Sequence, residues 1–590
     1  MLMRMWRLLD RGERRRLLRI APLLAVSAVI EVVGVASVIP FLSLLADPGA
    51  VADLPVVGPW LADQSDGDLA GIVRLSALVL AGLLVAANAL VIVTKYNLFR
   101  YSWSLNRSIS TRLLRHYLRQ PYAYTLTRNT AELSNKVIVE VKQLITMGVQ
   151  PLLNVLSQGV IIVALLVFLI ALNPLLTTIV IVVLGGAYGA VYAVSRGYLR
   201  SAGREAVKHG AARIKAVNEA LGAFKELKLA SLEASGLSQY EVPSSRFAKI
   251  QATVQAIASL PRYALEAVAV GGMIVIATVF VGRDGSFAAT LPLLGAYAFA
   301  GLRMMPAMQA LFHAAARLRA AIGPLEAVEA EFAAASPDVD VLDAPPAPIA
   351  FREAIDLLQV SYSYPGTEER ALADVNLRLV RGGSLAIVGR TGSGKTTIVD
   401  ILLGLLEPSE GSVSVDGVKV DAGNRRAYRR LFGYVPQDIY LLDDTIRRNV
   451  ALGLRDEAID DAAVQRACRQ AQVAEFIEGE LPGGYETVVG ERGVRLSGGQ
   501  RQRIGIARAL YNQPSVLVFD EATSALDVHT EQQVFAALDA IARERTLVTI
   551  AHRLETVAKA DTVIVLAAGR VVDEGSPLEV LARFQQGAVV

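Results

Sequence analysis

The stretch Gly389-Arg390-Thr391-Gly392-Ser393-Gly394-Lys395-Thr396 decides the fold of the second half of this 590-residue chain. It follows the apolar residues 385–388 and precedes the apolar residues 398–405, the strand and the helix that a phosphate-binding loop requires. The glycines allow backbone N–H groups to surround phosphate oxygens at a helix N-terminus. Lys395 is placed to neutralise the β and γ phosphates, and the Thr396 hydroxyl is placed to bind Mg²⁺. The sequence therefore predicts an α/β P-loop domain that binds ATP with Mg²⁺.

Two adjacent acids follow a second apolar strand. Residues 516–519 are apolar, and Asp520 and Glu521 come directly after them. The first carboxylate is placed to hold Mg²⁺ and its water, while the second polarises the attacking water. The alternative, that both acids only solvate a strand end, loses most of its weight because a phosphate loop precedes them. The pair predicts hydrolysis of the bound nucleotide as well as binding.

Between these two motifs lies Leu496-Ser497-Gly498-Gly499-Gln500, the most specific string in the chain. In this position it resembles the signature of the ABC ATPases. The resemblance extends, in the family's order, through Tyr434-Val435-Pro436-Gln437, Ser524-Ala525-Leu526-Asp527 (the D-loop) and Ile550-Ala551-His552-Arg553. In that family the signature of one subunit closes over the nucleotide held by the other. One copy of each motif therefore implies a homodimer with two competent ATP sites.

The resemblance also implies a role for individual residues of the ATP site. Tyr364 stacks on the adenine, although taken alone it would more often be an ordinary strand aromatic. Glu521 is the general base, His552 contacts the γ phosphate, and Gln437 contacts Mg²⁺ and senses the membrane domain. The expected metal ligands are Thr396, Gln437 and Asp520, and the expected ATP-binding residues are Tyr364, Gly389, Arg390, Thr391, Gly392, Ser393, Gly394, Lys395, Thr396 and Thr397. Glu491-Arg492-Gly493 resembles the segment with which exporters contact their coupling helices.

The first half of the chain is predicted to lie in a membrane. Apolar residues make up 53% of the sequence, and the long apolar runs all fall before about residue 312. Six segments are long enough to cross a hydrocarbon core of about 30 Å. They are residues 20–46, 75–94, 148–172, 174–195, 263–282 and 289–312. An α-helical transmembrane domain of six long helices, as in ABC exporters that form domain-swapped dimers, is expected to precede the nucleotide-binding domain.

Charge fixes the predicted orientation of these spans. A cluster of arginines precedes the first span, and basic residues recur between residues 95 and 142. Residues 47–68 carry five aspartates and no lysine or arginine. Because basic loops stay in the cytoplasm, we expect an N-terminal cytoplasmic elbow and an acidic outer loop with a short helix near residues 54–62. The predicted location is the bacterial inner membrane, with the nucleotide-binding domain in the cytoplasm.

The expected domains are a transmembrane domain over residues 1–332, a linker over 333–350 and a nucleotide-binding domain over 351–590. The linker is rich in Ala, Pro and Asp and has no periodic apolar face. The connections between spans are predicted to be helical and to reach far into the cytoplasm. Their tips, near residues 120–124 and 224–228, are either docking points for another domain or ordinary solvated turns.

Composition excludes several other classes of protein. A net charge of +3 is too small to indicate a nucleic-acid partner. A lone cysteine, Cys468, excludes a disulfide within the chain and a cysteine-based zinc site, and it is expected to be an inert packed thiol. The first apolar run is too long for a signal peptide and is interpreted as the first span.

Six spans followed by one nucleotide-binding domain resemble ABC exporters of the lipid-flippase and multidrug type. A closer similarity is to the PglK-type flippases of lipid-linked oligosaccharides. Its marks are Ile30-Glu31, Val38-Ile39-Pro40-Phe41, Leu260-Pro261-Arg262-Tyr263 with Glu266, Leu302-Arg303-Met304-Met305-Pro306 and Gln437-Asp438-Ile439-Tyr440-Leu441. These marks are short. They imply a lipid-linked glycan as substrate, with membrane lipids and a second copy of the chain as the other partners.

Three ionisable residues are placed at or near membrane depth. Arg262, Arg303 and Glu31 are costly there unless they face a cavity, a partner or a substrate. Arginines suit a pyrophosphate because the guanidinium matches phosphate oxygens in bidentate geometry. Alternatively, Arg262 lies at the headgroups or in water, and Glu31 pairs with a neighbouring helix. The compared flippases have a further arginine where this chain has Asn88.

The hypothesis from sequence is a homodimeric flippase that uses ATP to move a lipid-linked, pyrophosphate-bearing glycan outward. The first rival is a lipid A or multidrug exporter of the same fold. The second rival is an ATP-gated regulator or channel that transports nothing actively, and the intact catalytic motifs argue against it.

Overall fold

The computed structural model of the chain describes residues 2–46, 69–284, 287–333, 346–367, 369–490, 493–520, 545–551 and 557–585. The chain divides into two compact units. The first comprises Met1–Leu114 and Ser134–Ala334, and the second comprises Arg115–Leu133 and Ala335–Val590.

The second unit takes one segment from the predicted transmembrane domain. Residues 115–133 group with the nucleotide-binding part of the chain. Ala123 packs against the apolar core of that part, which accounts for the difference from the predicted boundary. At the other boundary, Ile349 packs on the same core and donates its backbone N–H to the Ala427 carbonyl at 3.3 Å. The folded unit thus begins inside the segment expected to be a linker.

Apart from short turns, the described residues of the first half of the chain are helical. Its helices are α1 Leu2–Leu8, α2 Arg11–Ala36, α3 Val38–Ala46, α4 Leu69–Leu118, α5 Tyr122–Leu126, α6 Thr130–Asn135, α7 Val141–Gln143, α8 Gln150–Leu172, α9 Pro174–Gly222, α10 Phe224–Leu229, α11 Glu233–Asp284, α12 Phe287–Ala320 and α13 Ile322–Ala333. Two π-helical stretches, Lys136–Glu140 and Leu144–Val149, continue α6 into α8. The predicted helical connections are therefore confirmed.

Three segments of the described residues are long and apolar enough to cross a membrane. They are Arg11–Leu45, Val73–Leu118 and Glu132–Leu172. The other three predicted spans fall on α9, α11 and α12, and their crossing of the membrane stays a prediction. The predicted outer-loop helix near residues 54–62 lies outside the described residues.

The helices of the first unit pack around a narrow apolar interior. Ala28 and Val35 of α2 lie against Leu165 and Leu169 of α8 and against Ala300 of α12. The small side chains on α2 and α12 allow close approach of the backbones, which is how helices associate where no hydrophobic effect drives them together.

Polar contacts tie the same helices at defined points. The Ser27 hydroxyl of α2 lies 2.6 Å from the Thr94 hydroxyl of α4. At the start of the chain, the Arg4 guanidinium on α1 donates from Nε to Glu329 Oε2 on α13 at 2.9 Å. The short helix α1 thus sits as an elbow before α2, held to the end of the helical unit by an ion pair.

The second unit contains two sheets. A four-stranded sheet has the order β2-β1-β4-β5, and a six-stranded sheet has the order β10-β9-β3-β8-β7-β6. The strands are β1 Ala354–Ser363, β2 Arg370–Val380, β3 Ser384–Gly389, β4 Glu410–Val415, β5 Val418–Lys419, β6 Phe432–Val435, β7 Val516–Asp520, β8 Thr546–Ile550, β9 Thr562–Ala567 and β10 Arg570–Gly575. Strands β6, β7, β8, β3 and β9 run parallel, and β10 is antiparallel at the edge.

The helices of the second unit cover the six-stranded sheet and build a helical subdomain. They are α14 Lys395–Leu402, α15 Arg425–Arg429, α16 Ile446–Val450, α17 Asp461–Gln470, α18 Ala474–Gly479, α19 Gly498–Leu510 and α20 Pro577–Gln585. Cys468 lies fully buried in the subdomain core, and burial raises the pKa of its thiol to about 12. The prediction of an inert packed thiol is confirmed.

Asn449 connects the parts of the helical subdomain. It is completely buried, and its Oδ1 accepts hydrogen bonds from the Leu442 backbone N–H at 2.9 Å and from Arg508 Nη2 at 3.0 Å. Its Nδ2 donates to the carbonyls of Leu442 and Thr445. This one amide therefore fixes the loop after β6 to α16 and α19.

We expect Asn449→Ala to lower the free energy of unfolding of the second unit by about 2–3 kcal/mol, because buried donors and acceptors lose their partner. Thermal unfolding of the purified protein measures this loss. Asn376→Ala is the matched control, because Asn376 is exposed. Among the described contacts, its side chain accepts one hydrogen bond from the Gln359 N–H and donates one to the Asp374 carbonyl. Equal losses in the two variants would show that Asn449 has no special structural role.

Candidate functional site

The phosphate loop runs from the end of β3 to the start of α14. Gly394, directly before α14, has a φ of +103°, and a Cβ there would lie 2.8 Å from the Ala371 carbonyl oxygen. A Cβ on Gly389 would lie 2.4 Å from the Leu566 carbonyl oxygen. No side chain fits at either position. The two glycines therefore allow the backbone to turn closely past β2 and β9 and to present the N-terminus of α14.

Lys395 curls back over this loop. Its side chain is 7% exposed, and Nζ donates to the carbonyl oxygens of Gly389 at 2.7 Å and Arg390 at 3.0 Å. The Ser393 hydroxyl is buried without a hydrogen-bond partner among the described residues. Two carbonyl oxygens of the loop thus hold the ammonium group over the phosphate loop.

The predicted metal ligands lie at one edge of the six-stranded sheet. Asp520 ends β7, Gln437 follows the parallel neighbour β6, and Thr396 is exposed in the first turn of α14, which follows β3. Carboxyl ends of parallel strands share an edge, so the fold brings these three residues together. A hydroxyl, an amide oxygen and one carboxylate fit Mg²⁺, which keeps several waters and takes its other ligands from phosphates.

Tyr434 and Asp400 surround Asp520, and sequence analysis assigned neither of them a role. Tyr434 Oη on β6 donates to Asp520 Oδ2 at 3.1 Å. Asp400 on α14 is 7% exposed, and burial, together with the charge of Asp520, raises its pKa to about 6. The signal in the sequence was a carboxylate within the apolar run 398–405. The phosphate-loop helix therefore carries a poorly solvated acid, Asp400, close to Asp520 and the metal position.

Tyr364 lies beside the same helix. Its hydroxyl is 2.9 Å from the Thr397 hydroxyl, and its ring meets that of Tyr362 edge-on, with centroids 5.1 Å apart. The residue follows β1 and is attached to the first turn of α14. This position, next to the phosphate loop, is compatible with adenine stacking, which stays a prediction.

The first helix tip packs within the second unit. Ala123 of α5 lies against its core, and burial raises the pKa of the neighbouring Tyr122, with smaller contributions from Asp400 and Tyr364. Of the two interpretations of residues 120–124, docking on the nucleotide-binding part is therefore confirmed. The second tip, α10, exposes Phe224 and Leu229, and its docking stays a prediction.

The signature string begins a helix. Ser497 caps α19: its hydroxyl accepts from the Gln500 N–H at 3.2 Å, and Gln500 Oε1 accepts from the Ser497 N–H at 2.8 Å. Leu496 is buried and anchors the string, while Ser497 is exposed. The string thus presents a capped helix N-terminus, a suitable site for an anion.

Several predicted residues lie outside the described part of the chain. They are Glu521, the D-loop Ser524-Ala525-Leu526-Asp527, His552 and Glu491-Arg492. Their roles stay predictions, as does that of the Arg262 side chain on α11.

Two of the predicted substrate residues meet in the first unit. Arg303 Nη1 on α12 lies 3.2 Å from Glu31 Oε1 on α2 and 3.2 Å from Asn88 Oδ1 on α4. Pairing of Glu31 with a neighbouring helix, which sequence analysis left open, is what the structure shows. Asn88, where the compared flippases have an arginine, accepts a hydrogen bond from Arg303 instead.

Comparison with known proteins covers both units. Residues 372–524 match the family described as "ABC transporter", and residues 38–289 match "ABC transporter transmembrane region". The chain is 30% identical over 560 residues to the ATP-dependent lipid A-core flippase of Bordetella avium, covering 92% of this chain and 91% of that protein. It is 35% identical over 460 residues to the protein of the same name from Cupriavidus metallidurans, covering 77% and 76%.

A solved structure shows the same fold. It is described as a bacterial Atm1-family ABC exporter with ATP bound, and it matches with a TM-score of 0.72 at 24% identity over 98% of this chain. The predicted fold class, a helical transmembrane domain followed by an α/β nucleotide-binding domain, is confirmed.

We expect Asp400→Asn to stabilise the nucleotide-free protein at pH 8. Folding raises the pKa of Asp400 from its ordinary 3.8 to about 6, so the folded state binds the proton more tightly and loses stability as pH rises through this interval. The neutral amide removes that loss, about 1–2 kcal/mol after allowing for solvent screening. Thermal unfolding at pH 8 and pH 4 measures the difference, which should vanish at pH 4.

Asp416→Asn is the control with the opposite sign. Although its partial burial acts to raise the pKa of Asp416, three backbone N–H groups donating to its carboxylate lower the pKa overall. This variant should be less stable than the wild type at pH 8. Equal unfolding temperatures for Asp400→Asn and the wild type at both pH values would refute the burial argument.

Proposed function

This chain belongs to the ABC transporter family, and we propose that it is a homodimeric flippase that moves a phosphate-bearing glycolipid outward across the bacterial inner membrane. The chain is an exporter half-transporter, in which ATP hydrolysis drives transport. The similarity to lipid A-core flippases over nine-tenths of both chains is the observation that carries the proposal. The nucleotide-binding domain is assigned to the cytoplasm by the charge of the loops.

We infer a substrate of the lipid A-core type. The marks that resemble PglK-type flippases favoured a lipid-linked oligosaccharide, but the whole-chain relatives carry the lipid A-core name. Both substrates join a lipid, a glycan and phosphate groups, so Arg303 suits either of them. The lipid A-core assignment is preferred because it is supported by most of the chain's length rather than by short strings.

In the proposed mechanism, ATP binds between the phosphate loop of one subunit and the signature of the other. Lys395 and the N-terminus of α14 hold the β and γ phosphates, and Tyr364 stacks on the adenine. Thr396, Gln437 and Asp520 would hold Mg²⁺, which would offset the negative charge of the phosphates. Glu521 orients the attacking water and accepts its proton, and His552 contacts the γ phosphate.

Closure of the two nucleotide-binding domains would be transmitted through the helix tips. Ala123 packs on the core of the second unit and Tyr122 lies near Asp400, so α5 is placed to move with the surroundings of the phosphate loop. Drawing the tips together would open the membrane helices toward the outside. Hydrolysis at Glu521 would then reset the dimer.

In proteoliposomes, we expect lipid A with its core glycan to stimulate ATPase activity and polyprenyl-pyrophosphate glycans to stimulate it less. Glu521→Gln should lower turnover about a hundredfold or more, because the general base is removed. Arg303→Ala should hydrolyse ATP at the basal rate but respond to lipid only at concentrations higher by about tenfold. Release of inorganic phosphate measures all three.

Other outcomes of this experiment identify the rivals. Stimulation by polyprenyl-pyrophosphate glycans alone would favour the oligosaccharide substrate, and stimulation only by hydrophobic drugs would favour a multidrug exporter. Ion conductance without ATP turnover would favour a channel.

We expect Tyr364→Ala to raise the KM for ATP about tenfold, the usual cost of one lost base-stacking contact. Tyr364→Phe keeps the ring and loses only the hydrogen bond to Thr397, so its KM should stay within about twofold of the wild type. Initial rates at varied ATP measure both. A Phe variant as weak as the Ala variant would contradict the stacking role.

A further inference from the structure

Glu31 and Arg303 form a charged pair between α2 and α12 in the membrane half. Glu31 is 6% exposed, and the Arg303 side chain is 23% exposed. Buried charges are retained at such depth for a partner or a function. Each side chain of the pair has a partner, but not every polar atom of the two forms a hydrogen bond.

The contact between the two side chains uses one atom of each group. Arg303 Nη1 is shared between Glu31 Oε1 and Asn88 Oδ1, both at 3.2 Å. Glu31 Oε2 is buried without a hydrogen-bond partner among the described residues. A guanidinium carries five N–H donors and binds carboxylates best in bidentate geometry. The pair is therefore weaker than it would be with both carboxylate oxygens engaged.

We propose that Glu31 is the internal counter-anion of Arg303, which the phosphate of the lipid substrate displaces. This inference rests on the proposed function, since it requires a phosphate-bearing lipid. While no substrate is bound, the carboxylate neutralises the arginine inside the membrane. On binding, phosphate oxygens take the guanidinium, and the contact between α2 and α12 breaks.

Charge determines which ligands can make this exchange. A phosphate monoester carries a charge of about −1.5 to −2 at pH 7 and offers three acceptor oxygens, whereas a carboxylate carries −1 and offers two. A monoanionic lipid gains little by replacing Glu31, because it leaves a second negative charge nearby. The pair would thus select strongly anionic headgroups over the monoanionic lipids that surround the protein.

The same exchange would couple substrate binding to the contacts between the helices. The Glu31–Arg303 contact joins α2 to α12, and the Asn88 contact joins α4 to α12. Loss of the first contact removes the charged link between α2 and α12 and leaves their apolar packing in place. Glu31 is therefore a specificity residue that acts by competition, distinct from Arg303, which contacts the substrate.

The test compares Glu31→Gln, Asn88→Asp and the wild type in nanodiscs, with lipid A as the phosphate-monoester probe and dioleoylphosphatidylglycerol as the monoanionic probe. Glu31→Gln removes the competing charge at constant shape, so half-maximal binding of lipid A should occur at about tenfold lower concentration. Binding of phosphatidylglycerol should also become detectable. Asn88→Asp adds a second carboxylate beside Nη1 and should weaken lipid A binding about tenfold.

Ser27→Ala is the matched control on α2. Ser27 lies one helical turn before Glu31. The substitution removes the hydrogen bond from α2 to Thr94 on α4 and leaves the charge unchanged. Its lipid A affinity should equal that of the wild type, so a gain as large as that of Glu31→Gln would overturn the proposal in favour of helix loosening.

The outcomes separate this inference from the proposed function. A wild type that binds neither lipid A nor, in a parallel titration, a polyprenyl-pyrophosphate glycan would refute both. A wild type that binds lipid A, with Glu31→Gln binding it equally or more weakly, would refute competition alone. If Glu31→Gln does not fold, Asn88→Asp tests the proposal. Lipid A binding by Asn88→Asp that is as tight as that of the wild type, or tighter, would contradict it.

Discussion

The parallel register of β3, β8, β7 and β6 is the constraint on which the ATP site depends. Because these strands run in one direction, the phosphate loop after β3, Asp520 at the end of β7 and Gln437 after β6 reach the same edge. The residues are far apart in the chain, and the register alone aligns them. Glycines 389 and 394 then allow the loop to pass close to neighbouring backbone without a clash.

The same edge of the sheet also lies close to the first helix tip, which belongs to the second unit. Asp400 is on the buried side of α14, near Asp520. Tyr122 of the first helix tip lies close enough to Asp400 for the carboxylate charge to raise the pKa of Tyr122. A poorly solvated carboxylate next to a metal position is sensitive to any change in local charge. Binding of a nucleotide with its metal ion would therefore change the electrostatic environment around α5.

Much of this arrangement could be predicted from sequence, because the motifs occur as contiguous strings. The phosphate loop, the strand before Asp520 and the helix after the signature each follow from local pattern, and the long cytoplasmic helices follow from their length and charge. The sequence could not predict that residues 115–133 belong to the second unit. Their place there depends on the contact of Ala123 with a core whose residues follow more than 200 positions later. Asp400 was overlooked because it lies inside an apolar run.

The Glu31–Arg303 pair shows where local pattern stops being informative. Sequence analysis identified both residues from the cost of charge at membrane depth, but their 272-residue separation hides the contact. An unpaired arginine in a cavity would attract any anion, including the headgroups of the surrounding lipids. An arginine already paired with a carboxylate binds an anion only in competition with that carboxylate, which favours ligands of higher charge. Selectivity in the membrane half therefore depends on the acid as much as on the base, and a motif that records only arginines omits half of the site.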